Sequence, residues 1–283
     1  MGTTRCAERG MGRAGYILTL ILLAVVTLVV LSLLDRATRD DETPPTGEHD
    51  PAPEVEVGRV PGLDETQADP AIWGEAFPHQ YDSYKRTTDV QRTRHGGSEA
   101  FQKLDADPLW RELFAGYPFG IDYREERGHA YMLQDQRVSE RVTRVKQPGG
   151  CLHCHASVLP AYRGLGRAAG APGDAADALD SEAGRAQLMA GFEAMCAMPY
   201  GEAVAHVEGA VACIDCHDPA TMRLRVTRPA FIEAIRELAV GDAEVPFLES
   251  VLRWRQGDRS APYDANALAA RSEMRLLVCA QCH

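Results

Sequence analysis

The sequence predicts a mainly α-helical fold, and three observations lead to that prediction. Apolar residues recur at three- and four-residue spacing through much of the chain after residue 68, as amphipathic helices require. No stretch shows the sustained alternation of apolar and polar residues that is typical of half-buried strands. The pattern C-x-x-C-H occurs three times, at Cys151–His155, Cys213–His217 and Cys279–His283.

The N-terminal part of the chain predicts a membrane segment. Residues 15–34 carry no charge over twenty positions, and about 20 apolar residues span a bilayer core. Nearby basic residues favour the N-terminal side, a bias that keeps residues 1–14 in the cytoplasm and exports the rest. A cleaved signal peptide is the alternative, but its apolar run is shorter and is followed by small residues. We therefore expect an inner-membrane anchor with the bulk of the chain on the periplasmic side.

The exported part divides by composition. Residues 35–68 are rich in Pro, Asp, Glu and Gly and have little to bury, which predicts a flexible acidic tether. Residues 69–283 bring apolar and aromatic side chains and predict the folded domain. Within that domain, residues 163–185 are rich in Ala and Gly, and we expect them to form a loop insertion.

Cap residues predict where helices of the domain begin. Short helices are expected on either side of Asp107-Pro108. Ser181 is expected to cap a helix that carries Leu188 and Met195 at helical spacing. Pro229 is expected to open another helix. Asp264 or Asn266 is expected to open the last one, which would run into the third C-x-x-C-H motif.

The charge balance excludes one class of function. The chain has 41 acidic and 30 basic residues, a formal net charge of −11, and a general nucleic-acid binder needs a basic face. We therefore expect no nucleic-acid partner.

The repeated motif predicts covalent haem attachment. Two thiols separated by two residues meet the two vinyl groups at one edge of a porphyrin, and the adjacent His ligates the iron. Haems would also fill the core of a chain in which only 7% of the residues are aromatic. The attaching and ligating residues would be Cys151, Cys154, Cys213, Cys216, Cys279 and Cys282, with His155, His217 and His283.

Other uses of paired cysteines fit less well. Zinc ribbons join two pairs to reach four ligands, and three pairs leave one unmatched. A thioredoxin-like pair appears once, within a βαβ pattern. Neither needs a histidine after every pair. Further histidines are open as second axial ligands, although a lone His is more often a surface or core residue: His79, His95, His129, His153 and His206.

Motifs outside the haem signatures carry a family resemblance. They are Phe77–Lys85, Ala115–Phe119, Asp122-Tyr123, Arg127–Ala130 and Arg228-Pro229, followed by Val278–His283. In order and spacing they resemble the N-terminal half of the ammonia-forming cytochrome c nitrite reductases, which are pentahaem periplasmic enzymes. The resemblance covers about residues 69–283 and implies a multihaem cytochrome c fold with haems forming much of the core.

The resemblance implies roles for particular residues. The first motif would carry the catalytic haem, with His155 where many members have the Lys of C-x-x-C-K. Arg141 would lie at the open face of that haem and hold nitrite, with Arg137 and Arg144 as the nearest competitors. His129 would be a distal ligand of one of the electron-relay haems.

The resemblance also implies what a complete protein contains. Such a protein would bind five haems and calcium, but the calcium ligands, an active-site Tyr and a second active-site His fall after His283. We therefore expect the sequence to be a fragment with three haems. The implied partners are nitrite, a membrane quinol-oxidising cytochrome or other electron donor, and a second copy in a homodimer.

Two alternative functions remain open at this point. One is a membrane-anchored multihaem electron-transfer protein, although its haem motifs would begin sooner after the anchor. The other is a related multihaem enzyme, such as hydroxylamine oxidoreductase or tetrathionate reductase.

Overall fold

The structure is a computed structural model that describes residues 13–40, 62–86, 101–125 and 127–283. The chain divides into two compact units, Met1–Val55 and Glu56–His283. The predicted tether lies largely outside the described residues, as does His95.

The described part of the first unit is a single helix, α1, Arg13–Asp40. It covers the predicted span at 15–34 and continues for six residues beyond Leu34, because Pro and Gly, which end helices, do not occur between Asp35 and Asp40. Within the residues that the structure describes, no helix combines the length and the apolar character needed to cross a membrane. The predicted membrane anchor is therefore not supported by the structure.

The second unit is helical, as predicted. Among its described residues there are isolated bridges, such as His217 with Leu224, but no strand. Its 3₁₀ turns are Pro118–Gly120, Gly149–Cys151, Val204–His206 and Cys213–Asp215. Its α-helices are α2 Pro70–Ala76, α3 Pro78–Arg86, α4 Lys103–Ala106, α5 Leu109–Leu113, α6 Met132–Val138, α7 Glu140–Thr143, α8 Leu152–His155, α9 Leu159–Ala168, α10 Glu182–Ala197, α11 Tyr200–Ala203, α12 Pro229–Val240, α13 Glu249–Gln256, α14 Ala265–Leu268 and α15 Arg271–Ala280.

Several predicted helix starts are confirmed. Helices α4 and α5 flank Asp107-Pro108. The Ser181 hydroxyl accepts a hydrogen bond from the backbone N–H of Gly184 and caps α10. Pro229 opens α12, where its missing N–H costs no helical hydrogen bond. Asp264 caps α14 by accepting from the backbone N–H of Asn266.

Two predictions of local structure were wrong. The expected loop at 163–185 is helical at both ends, because it contains the second half of α9 and the first turn of α10. The buried Arg163 draws the intervening segment in by donating to the backbone carbonyl of Asp177 at 2.6 Å. The expected last helix is two helices, because Ala269 and Ala270 adopt extended backbone angles between α14 and α15.

Apolar side chains of the second unit form two clusters. One surrounds the first two motifs and includes Trp73, Leu152, Tyr162 and Ile214. The other is built by α12 to α15 and their connections: Val226, Ile235, Ala239, Leu248, Val251, Tyr263, Met274 and Leu277. The third motif follows directly from this second cluster at the end of α15.

Helices α9 and α10 pack along a seam of glycines. A Cβ atom added at Gly191 would overlap the backbone carbonyl of Tyr162, and one added at Gly166 would overlap the carbonyl of Gln187. The two backbones therefore approach more closely than any larger residue would permit. The seam lies just after the first motif, since α9 begins four residues beyond His155.

Candidate functional site

The first motif is a compact helical turn. Its cysteines, Cys151 and Cys154, are half-buried, and His155 ends helix α8. The His155 Nδ1 atom lies 3.4 Å from the backbone carbonyl of Met132, so Nδ1 is the donor and Nε2 is left for another partner. Burial lowers the pKa of His155 against the opposing effect of the Met132 hydrogen bond, and the positive charge of Arg141 lowers it further. The lowered pKa favours the neutral imidazole, which is the form that ligates a metal.

The second motif repeats this arrangement with a better hydrogen bond. The His217 Nδ1 atom lies 2.9 Å from the backbone carbonyl of Met222. Met222 adopts a left-handed backbone with φ of 58°, which is uncommon for a residue other than glycine and turns its carbonyl toward the ring. The imidazole of His217 again keeps Nε2 free of this hydrogen bond. Burial raises the pKa of Cys213 to about 11 and that of Cys216 to about 12.

The third motif is the most open of the three. It lies at the C-terminal end of α15, with Cys279 and His283 exposed and Cys282 half-buried. Desolvation lowers the pKa of His129, and the charge of His283 lowers it further. The predicted distal ligand His129 is therefore within electrostatic range of the third motif.

The three motifs meet in space, although they are separated by more than fifty residues in sequence. Cys282 of the third motif interacts with Cys154 of the first and raises the pKa of the Cys154 thiol. The Nε2 atom of Gln281, inside the third motif, lies 3.9 Å from the Cys216 sulfur of the second. None of the cysteines in the described part of the chain forms a disulfide.

These residues fit covalent haem. No disulfide joins the motif thiols, and all six are at least partly exposed. Thioether formation requires both. The Nδ1 atoms of His155 and His217 are engaged by backbone carbonyls, which fixes the ring that presents Nε2 to an iron. The donor set of two thiols and one imidazole is repeated at each motif. The residues that would hold the group are those that the sequence predicts.

Arg141 lies beside the first motif. It is carried by the short helix α7, and its guanidinium carbon lies 4.7 Å from the centre of the Phe119 ring. Its charge acts on both Cys151 and His155. Burial raises the pKa of the neighbouring Tyr200 to about 12, against the effect of nearby arginines.

The two competing arginines occupy different surroundings. The Arg144 side chain is 67% exposed and pairs with Glu140 on its own helix turn. Arg137 is exposed on α6 and acts on Tyr200. Neither of these two arginines appears among the groups that shift the pKa of His155.

Asp122 holds the helix that carries Arg141. Its buried carboxylate accepts from the backbone N–H of Glu140, at the start of α7, at 2.7 Å. It also accepts from Arg124 Nε at 2.9 Å and from Gln102 Nε2 at 2.8 Å. Burial alone would raise the pKa of Asp122, but these hydrogen bonds outweigh it and lower the pKa.

The chain matches a known protein family over most of its length. The sequence profile of the cytochrome c552 family matches residues 69–283. This chain belongs to the cytochrome c552 family.

Individual members of the family are similar over the same part of the chain. Cytochrome c nitrite reductase subunit NrfA of Nitratidesulfovibrio vulgaris Hildenborough is 28% identical over 223 residues, 73% of this chain. Cytochrome c-552 of Bacteroides thetaiotaomicron is 29% identical over 220 residues, 75% of this chain. The chain spans only 34% and 35% of these two relatives, about a third of their length.

A solved structure has the same fold. The catalytic subunit NrfA of cytochrome c nitrite reductase from Desulfovibrio desulfuricans ATCC 27774 matches 78% of this chain with a TM-score of 0.51 and 25% identity. The match covers 41% of that protein, which has two calcium sites. The resemblance drawn from the sequence motifs is confirmed by these comparisons.

This member of the cytochrome c552 family also contains site residues that sequence reasoning missed. Arg228 and Asp215 form a fully buried ion pair between the motifs, with Nη1 and Oδ1 2.7 Å apart. The sequence marks Arg228-Pro229 only as part of the family resemblance, and it gives Asp215 no role beyond its place between two cysteines. Hydrophobic periodicity carries no signal for a buried charge, since it predicts apolar residues at such positions.

The remaining histidines differ in exposure and in hydrogen bonding. His79 and His206 are exposed. The Nδ1 atom of His153 lies 3.0 Å from the Tyr162 hydroxyl, and burial lowers the pKa of His153 to about 4. His153 is therefore a hydrogen-bonded core residue, in accord with the simpler interpretation of a lone histidine.

Proposed function

We propose that this chain is part of the catalytic subunit of an ammonia-forming nitrite reductase. The reaction converts nitrite to ammonium and two waters with six electrons and eight protons. The observation that carries the proposal is the placement of Arg141 beside the first motif in a chain whose relatives include nitrite reductase catalytic subunits. The chain matches about a third of the length of these relatives, so the activity is proposed for the whole protein.

Haem c would supply iron for one-electron steps and an open coordination position for the substrate. Three such groups would be held in this chain by the paired thiols and by the Nε2 atoms of His155, His217 and His283. By resemblance, a complete protein would hold five. The neutral, hydrogen-bonded state of His155 supports its assignment as the one protein ligand at the first site.

Arg141 would bind the substrate anion. A guanidinium keeps its proton at all relevant pH values and presents donors in a planar fork that matches two nitrite oxygens. The Phe119 ring supports the guanidinium through a cation–π contact, and Asp122 fixes the start of the helix beneath it. Held in this way, Arg141 would stabilise negative charge as an N–O bond breaks.

We propose that His129 and His283 would both hold the haem of the third motif. The support is the effect of the His283 charge on the pKa of His129 and the position of His129 in the segment that precedes α6. A haem held by two imidazoles would supply electron transfer and not substrate binding.

Further features of the complete protein follow from the relatives. We propose that it binds calcium, forms a homodimer, and takes electrons from a membrane quinol-oxidising cytochrome. We also propose a periplasmic location with attachment to the inner membrane through the N-terminal helix. That attachment rests on the apolar sequence at 15–34 alone.

Nitrite titration of the haem-loaded chain tests the role of Arg141. In wild type, nitrite is expected to change the absorption of a high-spin haem. The Arg141→Met variant is expected to bind nitrite at least tenfold more weakly, because a charge-assisted anion contact contributes about 1.5–3 kcal/mol. Arg144→Met is the matched control, since that arginine is largely exposed and is paired locally.

Two outcomes would contradict different parts of the proposal. An entirely low-spin spectrum with no response to nitrite favours the electron-transfer protein. Equal nitrite affinity of Arg141→Met and wild type would contradict the role of Arg141 in nitrite binding but not the proposed activity. Ammonium formation with a chemical electron donor measures the activity itself.

A further inference from the structure

A buried arginine connects the second motif to the first. Arg228, which is 0% exposed, lies at the start of α12. Its Nη1 donates to Asp215 Oδ1 at 2.7 Å, and its Nη2 donates to the backbone carbonyl of Ala156 at 3.1 Å. Asp215 lies inside the second C-x-x-C-H motif, and Ala156 directly follows the first. One guanidinium fork thus spans two motifs.

The third motif joins the same network through Gln281. Its Oε1 accepts from the backbone N–H groups of Thr227 at 2.9 Å and of Arg228 at 3.2 Å. Its Nε2 lies 3.4 Å from the backbone carbonyl of Asp215, which also accepts from the Thr227 hydroxyl at 2.7 Å. The variable positions of the second and third motifs therefore hold the two motifs together.

Stability alone is a poor reason for this arrangement. Both members of the Arg228–Asp215 pair are removed from water, and apolar side chains of similar volume often stabilise a core as well as a buried ion pair does. A buried pair instead demands its partners at fixed distance and angle, because an unsatisfied charge is costly. The pair therefore favours one arrangement of the backbone segments that it joins.

We propose that Arg228 is a positioning residue that fixes the placement of the three haem sites relative to one another. Asp215 and Gln281 are its partners within the motifs. The inference rests on haem attachment at all three motifs. Because reduction potentials depend on the hydrogen bonds, charge and burial around a haem, a shift of the motif backbones shifts the potentials.

The haem content of the full chain is measured first, after production in a host that attaches haem c. The pyridine haemochrome assay should give three haems per chain for wild type. Fewer than three would contradict the haem assignment itself, independently of any property of Arg228. The variants are then Arg228→Met, Arg228→Lys and Gln281→Met.

Arg163→Met is the matched control. Arg163 is also buried, and it donates to the carbonyls of Asp174 and Asp177 and to Gln187, but it bonds no motif residue. Its loss is expected to lower the melting temperature and to leave the reduction potentials unchanged. A purely structural role for Arg228 predicts the same behaviour for Arg228→Met.

A redox titration followed by haem absorbance decides between these outcomes. We expect Arg228→Met to move at least two midpoints, each by about tenfold in its equilibrium constant, or about 59 mV for one electron. Arg228→Lys keeps the charge but not the fork and should move them less. Gln281→Met should move one. Midpoints of Arg228→Met that match those of Arg163→Met overturn the proposal.

A second variant guards against loss of the folded protein. Arg228→Met combined with Asp215→Asn removes both charges and leaves no unpaired ion in the core. This double variant still lacks the bond to Ala156, so we expect three haems with displaced midpoints. Wild-type midpoints in the double variant overturn the proposal equally well.

Discussion

Two regions of the second unit reach a folded state by different means. The motif region, residues 101–125, 127–228 and 279–283, buries charged and polar side chains such as Asp122, Arg163 and Arg228. The C-terminal region, residues 229–278, packs apolar side chains of four helices against one another. Its buried carboxylate, Glu273, has its oxygens satisfied by Ser250 and by the backbone N–H of Ala270.

The difference shows which part of the fold depends on arrangement and which on burial. Apolar contacts in the C-terminal region are non-directional and scale with area removed from water. Hydrogen bonds and ion pairs in the motif region fail when a partner shifts, because the buried group is then left unsatisfied. Substitutions should therefore lower stability in both regions, but only those that remove a hydrogen bond or ion pair to a motif residue should also disturb the site.

The largest loss of stability is expected for Leu277→Ala in the C-terminal region. Leu277 is 2% exposed on α15, and its truncation should reduce the free energy of unfolding by about 2–5 kcal/mol. Urea denaturation followed by circular dichroism measures the change. The neighbouring Leu276→Ala is the control, since that side chain is 53% exposed and its truncation should cost little. Equal losses for the two variants would contradict the burial argument.

Asp122→Asn in the motif region is expected to cost about 1.5–3 kcal/mol at pH 7, as hydrogen bonds to a charged group weaken. Because the folded pKa of Asp122 is lowered, its carboxylate stabilises the fold above the unfolded pKa of about 4, and this stability is lost as pH falls through the folded pKa. The difference from wild type should therefore shrink on acidification. Unfolding at several pH values tests this.

The exposed Asp105 provides the control for that experiment. Its side chain is 71% exposed, so Asp105→Asn should change stability little at any pH. A gap between Asp122→Asn and wild type that stays constant down to pH 2 would show that ionisation of Asp122 plays no part.

Gly191→Ala is expected to have the smallest of the three effects, a loss of about 1–3 kcal/mol from overpacking. The added methyl group would overlap the Tyr162 carbonyl across the α9–α10 seam. Gly164→Ala is the matched control on α9, because an added Cβ there meets no atom within 4 Å. Better helix propensity should make the control more stable by up to about 1 kcal/mol. Thermal melts that rank the two variants in the opposite order would exclude the seam.

Much of the fold is predictable from the sequence because several helices begin at recognisable N-cap or N1 residues. Ser181, Pro229 and Asp264 each supply a cap or a start that depends only on local chemistry. The segment 163–185 was misjudged because its glycines resemble loop residues until their close helix packing is known. Likewise, nothing local marks the break at Ala269 and Ala270.

The candidate site follows the same division. The cysteines and histidines of the motifs are recognisable from spacing alone, since the porphyrin imposes that spacing. The meeting of Cys154 with Cys282 and the burial of Arg228 depend on tertiary structure, which one sequence does not encode in any short pattern. Similarity to a family supplied Arg141 and His129, and their roles remain proposals.

The α9–α10 seam has a mechanical consequence for the first motif. Side chains in contact can relieve a clash by changing rotamer, whereas main-chain atoms in contact cannot. Gly149, two residues before Cys151, likewise abuts the main chain of Met195 near the end of α10. The pair of helices α9 and α10 is therefore rigid at the point where α10 contacts Gly149. Substitutions should therefore be tolerated better in the mostly exposed turn at 169–180 than at the glycines of the seam.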